Sequence, residues 1–193
     1  MKIAKQLSIA FILSFALDTA SKYWAEQALT LYQPVPFLGE TFRFTLGYNT
    51  GIAFSLLTNS GNLPLILTGC VIIWLTYWFL NSLYTEQLPP STSWAIGLLM
   101  GGAIGNFVDR LFDGRVTDFL DVGIGTSRWP TFNLADSFIF AGAILLMIIT
   151  FSHQPDTLED DEPLSEDPST TEPTSDKDDE DSHLEAETQM SWQ

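Results

Sequence analysis

Four long apolar stretches dominate the chain up to residue 151. They run over about 7–29, 63–83, 94–112 and 132–151, and the second of them contains no charged residue. A hydrocarbon layer about 30 Å thick takes roughly 20 helical residues to cross. The pattern therefore predicts an all-α membrane protein with four transmembrane helices.

The third stretch is rich in small residues, namely Gly97, Gly101, Gly102, Ala103 and Gly105. Small side chains allow membrane helices to approach each other closely. Trp24, Trp94 and Trp129 lie near the predicted ends of spans, where an aromatic belt places them. Cys70 lies within the second stretch and is interpreted as a core residue.

The segment between the first two stretches carries a different pattern. Residues 42–46 alternate between apolar and polar positions, which is typical of a β-strand. A turn signal follows at Thr50-Gly51, and a second apolar run covers 52–57. These features predict a small β-sheet that lies on the membrane surface.

Charge separates the C-terminal tail from the rest of the chain. The whole sequence of 193 residues has a net charge of −16. Residues 152–193 contain 15 Asp and Glu but one Lys, a net charge of −14, whereas residues 1–151 are nearly neutral. A polar segment with so few large apolar side chains cannot bury enough surface to fold. We expect a membrane domain over 1–153 and a disordered acidic tail over 154–193.

Composition also excludes several classes of function. No cluster of Lys and Arg is present to bind the phosphates of a nucleic acid. A single cysteine excludes a disulfide scaffold and a cysteine-ligated metal cluster. His153 and His183 lie in or beside the tail, which argues against a histidine metal site or a Ser-His-Asp triad. No metal and no cofactor are expected.

Four spans place both termini on the same side of the membrane. Lys2 and Lys5 favour the cytoplasm for that side, although Arg43, Arg115 and Arg128 fall in the opposite loops. An alternative for the first stretch is a cleaved signal peptide, since the two lysines precede an apolar run. Cleavage after residue 16 would leave Asp18 and Lys22 at a new terminus.

Acidic residues in or beside the spans are the strongest candidates for chemistry. Asp18, Asp109, Asp118, Asp121 and Asp136 all occur there, and an Asp within a membrane helix costs roughly 2.5–3.5 kcal/mol on insertion scales. Asp118 and Asp136 flank one loop, so they fall at the same membrane face. Two neighbouring carboxylates that share a proton can activate water and polarise a carbonyl, as in an aspartic peptidase. The alternative is a pair of solvated acids.

Other polar residues are spaced to join such a site. Asn106, Asp109 and Arg110 lie within one helical turn, where Asp109 and Arg110 are interpreted as a neutralised pair. Asp18 and Lys22 form an i,i+4 pair on the first span. The turn 49–51 offers an amide to a substrate backbone, or else forms a simple Asx-turn.

Together these residues resemble one family, the lipoprotein signal peptidases, also called signal peptidase II. The resemblance covers about residues 7–151 and is highly specific, because five blocks occur in order at matching spacings. The blocks are 18–22 (DTASK), 48–54 (YNTGIAF), 101–110 (GGAIGNFVDR), 114–119 (GRVTDF) and 130–137 (PTFNLADS).

The resemblance implies four transmembrane helices, a small extracytoplasmic β-sheet cradle, a short extracytoplasmic helix and an aspartic endopeptidase mechanism. It implies a catalytic pair and two supporting sets of residues. The catalytic residues are Asp118 and Asp136. The substrate-binding residues are Asn49, Gly51, Asn106, Arg110 and Asn133. The structural residues are Asp18, Lys22, Gly102, Gly105, Asp109 and Ala135.

The family's substrates are prolipoproteins with a diacylglyceryl-modified cysteine, and cleavage occurs just before that cysteine. The resemblance thus implies a monomer in the bacterial cytoplasmic membrane that contacts membrane lipids and is inhibited by globomycin-type cyclic peptides. This sequence departs from the family where Ile52 replaces the usual Ala and where 19–21 differ from the commoner pattern. The long acidic tail is also unusual.

Parts of the sequence also fit two other functions. Intramembrane acids also mark proton paths, so a small ion-coupled transporter is one alternative. The absence of an inverted repeat, and the position of the acids near one face, argue against it. A scaffold protein with an interaction tail is the other. It predicts that loss of the tail, but not of Asp118, abolishes function.

Overall fold

A computed structural model describes residues 2–52, 56–58, 60–85 and 89–152 of the chain. The predicted acidic tail and part of the 52–57 run lie outside the described residues. The elements, in chain order, are α1 (Lys2–Ala28), β1 (Val35–Leu38), β2 (Phe42–Asn49), α2 (Leu63–Tyr84), α3 (Thr92–Asp113), β3 (Val116–Ile124), β4 (Ser127–Arg128) and α4 (Leu134–Ser152).

The four predicted spans are confirmed as helices. Among the described residues, four helices are long and apolar enough to cross a membrane, and they are α1 to α4. Sequence signals set their ends: Pro64 stands in the first turn of α2, and α3 ends at Gly114, whose φ of 69° is left-handed. The short extra helix implied by the family is not found among the described residues.

Helices α1 and α3 pack through a register of small residues. Gly97, Gly101 and Gly105 stand at successive i,i+4 positions of α3, against Ala10, Ser14 and Asp18 at the same spacing on α1. A Cβ built on Gly97 would lie 2.6 Å from the Cβ of Ala10, and one on Gly105 would lie 2.5 Å from a carboxylate oxygen of Asp18. No side chain larger than hydrogen fits there, so the predicted close approach of glycine-rich α3 is confirmed.

Helix α4 meets the neighbouring face of α3 in the same way. A Cβ on Gly102 would lie 2.4 Å from the carbonyl oxygen of Ala135, and one on Gly142 would lie 2.8 Å from that of Ala95. Most of the surface of helix α2, by contrast, does not contact the other helices, and Trp74 and Tyr77 are largely exposed. Cys70 is also exposed, so its interpretation as a core residue was wrong. An apolar run alone does not tell a lipid-facing side from a buried one.

Packing of α1 also bears on the signal-peptide alternative. The helix continues from Lys2 to Ala28 and contributes buried Ser14, Asp18, Lys22 and Ala25. Removal of its first half would expose the glycine face of α3 that it covers. The structure therefore favours a retained first span.

The four strands form one antiparallel sheet in the order β1-β2-β3-β4. The predicted strand over 42–46 is confirmed and extends to Asn49 as β2. It pairs with β1, which lies just before it in the chain, and with the distant β3. Ile52 lies in no strand. Leu46, Phe119 and Leu120 pack with Ala25 of α1, which attaches the sheet to the helix bundle.

Asp121 ties together three strands of the sheet. Its carboxylate accepts hydrogen bonds from Arg43 Nη2 at 2.7 Å, Thr45 Oγ1 at 2.7 Å and Arg128 Nε at 2.8 Å. Burial opposes ionisation of this carboxyl, but the bonds from Thr45, Arg128 and Arg43 outweigh it and lower its pKa. Asp121 thus stabilises the sheet by linking β2, β3 and β4.

Candidate active site

Asp118 and Asp136 are brought together by chain segments that the sheet holds in place. Asp118 lies on β3, and Asp136 lies in the first turn of α4. Phe132 exchanges backbone hydrogen bonds with Leu120, so the segment before α4 runs beside β3. This pairing places Asn133, the residue that precedes α4, next to both acids.

Asn133 is fully buried and joins the two carboxyl groups. Its Nδ2 donates to Asp118 Oδ1 at 2.7 Å, and its backbone N–H donates to Asp136 Oδ2 at 3.2 Å. In return the backbone N–H of Asp136 donates to Asn133 Oδ1 at 2.9 Å. These reciprocal bonds cap the start of α4 and fix the orientation of both side chains.

Asn106, from the middle of the bundle, holds the second oxygen of Asp136. Its Nδ2 donates to Asp136 Oδ1 at 2.8 Å. Its Oδ1 accepts from Lys22 Nζ at 2.9 Å and from Asn133 Nδ2 at 3.2 Å. The lysine cannot accept a hydrogen bond, so it sets the amide orientation that directs Nδ2 at Asp136.

A charge cluster supports Asn106; it consists of buried Asp18 and Lys22 on α1 and half-buried Asp109 on α3. Lys22 Nζ lies 2.7 Å from Asp18 Oδ2 and 2.8 Å from Asp109 Oδ2. Asp18 Oδ1 accepts the backbone N–H of Ala135 at 2.8 Å, which satisfies one free donor at the start of α4. The sequence suggests an ion pair between Asp109 and Arg110. In the structure Asp109 pairs with Lys22 instead. Adjacent residues of a helix, such as Asp109 and Arg110, project in different directions. Helix α1 packs against the side of α3 that carries Asp109, and so brings Lys22 to it.

Arg110 and the turn after β2 form another side of the site. Arg110 Nη2 donates to the carbonyl oxygen of Gly51 at 2.7 Å. Gly51 donates its N–H to Asn49 Oδ1 at 2.9 Å, which is the predicted Asx-turn, and the Asn49 side chain also hydrogen-bonds to Asp118. Arg110 Nε is buried without an acceptor among the described residues.

The electrostatics of Asp118 favour its protonated form. Burial, followed by the nearby charge of Asp136, raises the pKa of Asp118 to about 7, against the opposing effect of hydrogen bonds from Asn133 and Asn49. Only 3% of Asp118 is exposed. A carboxyl that keeps its proton near neutral pH, beside a second carboxyl, can act as a general acid while its neighbour acts as a base.

A cleft of about 210 Å³ opens beside Asp118. Its walls come from the sheet and from the loops next to it: Tyr32, Gly47, Tyr48, Asn49, Asp118, Pro130 and Thr131. The ring of Tyr48 is held in place by Arg115, whose guanidinium lies 3.6 Å from the ring centroid. A substrate can therefore approach Asp118 from outside the helix bundle.

Comparison with known proteins identifies the family. The sequence model described as signal peptidase (SPase) II matches residues 10–152, which is most of the chain. This chain belongs to the signal peptidase II family. The matched region contains most of α1, all of α2 to α4 and both acids of the site.

Relatives of this signal peptidase II chain cover it nearly end to end up to the tail. A lipoprotein signal peptidase of Alteromonas mediterranea is 37% identical over 79% of this chain and 86% of its own. One from Xylella fastidiosa is 38% identical over 78% and 91%. A solved bacterial membrane enzyme covers 79% of this chain and 91% of its own at 28% identity, with a TM-score of 0.67.

All thirteen site residues expected for a signal peptidase II lie in this one assembly. Most of them touch directly, while Gly102 and Gly105 act by allowing the helices close enough for the bonds to form. The sequence missed the cleft residues Tyr32, Gly47 and Thr131. Their local pattern does not distinguish them, because pairing with other segments places them beside Asp118. Gly47 is placed by the register of β2 against β3, Tyr32 by its backbone bond to Leu46, and Thr131 by the pairing of the next residue with Leu120.

Proposed function

We propose that this chain is an aspartic endopeptidase that removes the signal peptide from diacylglyceryl-modified prolipoproteins, cutting just before the lipidated cysteine. The proposal rests above all on one observation: Asn133 hydrogen-bonds to both Asp118 and Asp136, and so holds a buried and a half-buried carboxyl group in one site. The family membership supports the substrate class.

In the proposed mechanism Asp136 is the ionised member of the pair. Its two oxygens accept N–H groups of Asn106 and Asn133, and it lies at the N-terminus of α4, where the helix dipole favours a negative charge. Asp118, whose pKa is about 7, is the protonated member.

The reaction then has two steps, each with two proton transfers. Asp136 takes a proton from a water molecule, whose oxygen attacks the scissile carbonyl, while Asp118 donates its proton to the carbonyl oxygen. When the tetrahedral intermediate collapses, the C–N bond breaks and the proton held by Asp136 passes to the departing nitrogen of the cysteine. The carboxyl product regains its carbonyl and returns the other proton to Asp118.

Binding residues would act on the substrate backbone beside the pair. Arg110 and the turn of Asn49 and Gly51 offer fixed polar groups on one side of Asp118. The signal helix and the diacylglyceryl group would stay in the bilayer, which brings the scissile bond to the membrane surface. Globomycin-type cyclic peptides would inhibit by occupying the same site.

We further propose that the enzyme works as a monomer in the bacterial cytoplasmic membrane. Both termini would lie in the cytoplasm and the active site near the extracytoplasmic face. Lys2 and Lys5 at the start of α1 support this orientation, as does the even number of spans among the described residues.

A purified-protein assay tests the proposed function. The protein in detergent is mixed with the same prolipoprotein in lipid-modified and unmodified forms, and the products are analysed by gel shift and mass. We expect cleavage of the modified substrate alone, with the lipidated cysteine as the new N-terminus. Equal cleavage of both forms would contradict the proposed substrate class.

The rate should fall as pH rises through about 7. Asp118 must carry a proton to polarise the carbonyl, and its pKa of about 7 means that this proton is lost above neutrality. We expect kcat/KM of the free enzyme to drop about tenfold per pH unit on the alkaline side. A profile that stays flat between pH 7 and 9, measured at constant ionic strength, would contradict the assigned role.

Deletion of residues 155–193 should leave cleavage intact. The family match ends at residue 152, and both acids lie well before it. We expect the truncated and full-length proteins to differ less than about threefold in kcat/KM, a difference of under about 1 kcal/mol. Loss of cleavage on truncation, with an active full-length protein, would favour the scaffold alternative.

A further inference from the structure

The cleft beside Asp118 contains residues that the proposed mechanism does not use. Tyr32, Gly47 and Thr131 line it together with Asn49 and Asp118. None of the lining residues belongs to a membrane-spanning helix. The cleft therefore lies outside the spans but directly next to the carboxyl group assigned as the acid.

Gly47 accounts for the open space in this cleft. It pairs with Asp118 in the register of β2 and β3, and residues directly opposite each other in an antiparallel sheet project from the same face. A Cβ on Gly47 would lie 3.7 Å from Thr131 Oγ1 and 3.8 Å from Tyr32 Cε1, which are ordinary contact distances. Its backbone φ is not in the left-handed region. Glycine is therefore not needed for the backbone here, and its effect is to leave room between Tyr32 and Thr131.

Tyr32 is held across this space by its backbone. Its φ of 58° is unusual for a residue with a side chain, and its N–H donates to the carbonyl oxygen of Leu46 at 2.9 Å. Strained residues of this kind persist only where the surrounding structure fixes them, and they concentrate at ligand sites. This backbone conformation places the ring on the side of Gly47 away from Thr131.

The geometry points to this cleft as the binding site for the side chain of the residue that follows the lipidated cysteine, with Gly47 setting the largest side chain accepted. The inference rests on the proposed function. The signal helix and the lipid remain in the bilayer, so the chain after the cysteine must leave the membrane. An extended chain advances about 3.3–3.6 Å per residue, so the residue after the cysteine lies within about 7 Å of the scissile bond.

The chemistry of the walls indicates which side chains fit. Tyrosine, asparagine, threonine and proline surround the space, and Asp118 is the one ionisable carboxyl among the lining residues. Neutral side chains of moderate size match such a lining. Gly47 and Tyr32 would therefore be specificity-determining residues for the mature end of the substrate.

The test uses lipid-modified prolipoproteins that differ at one position, with Gly, Gln or Phe after the cysteine. Wild type, Gly47→Val, Tyr32→Ala and the double variant are compared by kcat/KM in detergent. We expect Gly47→Val to lower cleavage of the Gln and Phe substrates about tenfold or more relative to the Gly substrate. Tyr32→Ala should shift the ratio toward Phe, and the double variant should recover the Gln substrate.

The outcomes separate this inference from the proposed function. If Gly47→Val lowers cleavage of all three substrates equally, the glycine serves the catalytic pair and the inference is wrong. If Gly47→Val fails to fold, the Tyr32→Ala variant decides. Tyr32 is 69% exposed, so its replacement should not prevent folding. Unchanged substrate ratios in Tyr32→Ala would overturn the inference. Failure of the wild type on every lipid-modified substrate would instead refute the proposed function and this inference with it.

Discussion

Replacement of either acid of the proposed catalytic pair, as Asp118→Asn or Asp136→Asn, is expected to abolish cleavage while the protein still folds and inserts. An amide cannot accept the proton of the attacking water, and it cannot supply the proton that polarises the carbonyl. General acid–base groups contribute about 10²–10⁴ in rate, and here both are lost because the two acids work as a unit. The measurement is the single-turnover rate with lipid-modified substrate.

Stability gives the second readout for these variants. The two carboxyl groups that share Asn133 repel each other when both are ionised, so an amide at either position should not lower the melting temperature. Asp113→Asn is the matched control, because Asp113 is an exposed acid at the end of α3 near the same face. It should retain the wild-type rate. Substantial cleavage by Asp118→Asn or Asp136→Asn would refute the proposed pair.

The variant Lys22→Met is expected to have the largest effect on stability. Lys22 is nearly fully buried, and its Nζ lies within 2.8 Å of carboxylate oxygens of both Asp18 and Asp109. Removal of one partner from a buried ion pair typically costs about 3–5 kcal/mol, since it leaves an uncompensated charge. The measurement is the free energy of unfolding in detergent, followed by tryptophan fluorescence.

Two further variants make the Lys22 prediction specific. Lys5→Met removes an exposed lysine of the same helix and should change the unfolding free energy by less than about 0.5 kcal/mol. Asp18→Asn combined with Lys22→Met removes one of the stranded charges and should recover part of the loss. A loss below about 1 kcal/mol in Lys22→Met alone would mean that the cluster is well hydrated, in conflict with the packing described here.

The sequence predicted those features that depend on local pattern. Hydropathy located all four helices to within a few residues, because a bilayer-spanning helix is set by length and apolarity alone. The alternation of apolar and polar residues predicted β2, and the glycines of α3 predicted its close contacts with neighbouring helices. The blocks around Asp118 and Asp136 also indicated the site, since a family motif keeps its residues whatever their distance in the chain.

Features that depend on pairing between distant segments could not be predicted. One of the two partners of β2 is β3, more than sixty residues later, and no local signal in either strand specifies it. The same holds for Asp109, whose partner Lys22 is contributed by another helix, and for Gly47, whose importance follows only from its position opposite Asp118. Exposure of Cys70 likewise depends on which face of α2 meets α3.

The most direct test of the account compares wild type, Asp118→Asn, Asp136→Asn and Asp113→Asn in one cleavage reaction with a lipid-modified prolipoprotein. The mass of the product identifies the bond that is cut. We predict that wild type and Asp113→Asn release a protein that begins with the lipidated cysteine, and that the other two variants release none. Release of that product by a folded Asp118→Asn or Asp136→Asn protein would contradict this prediction.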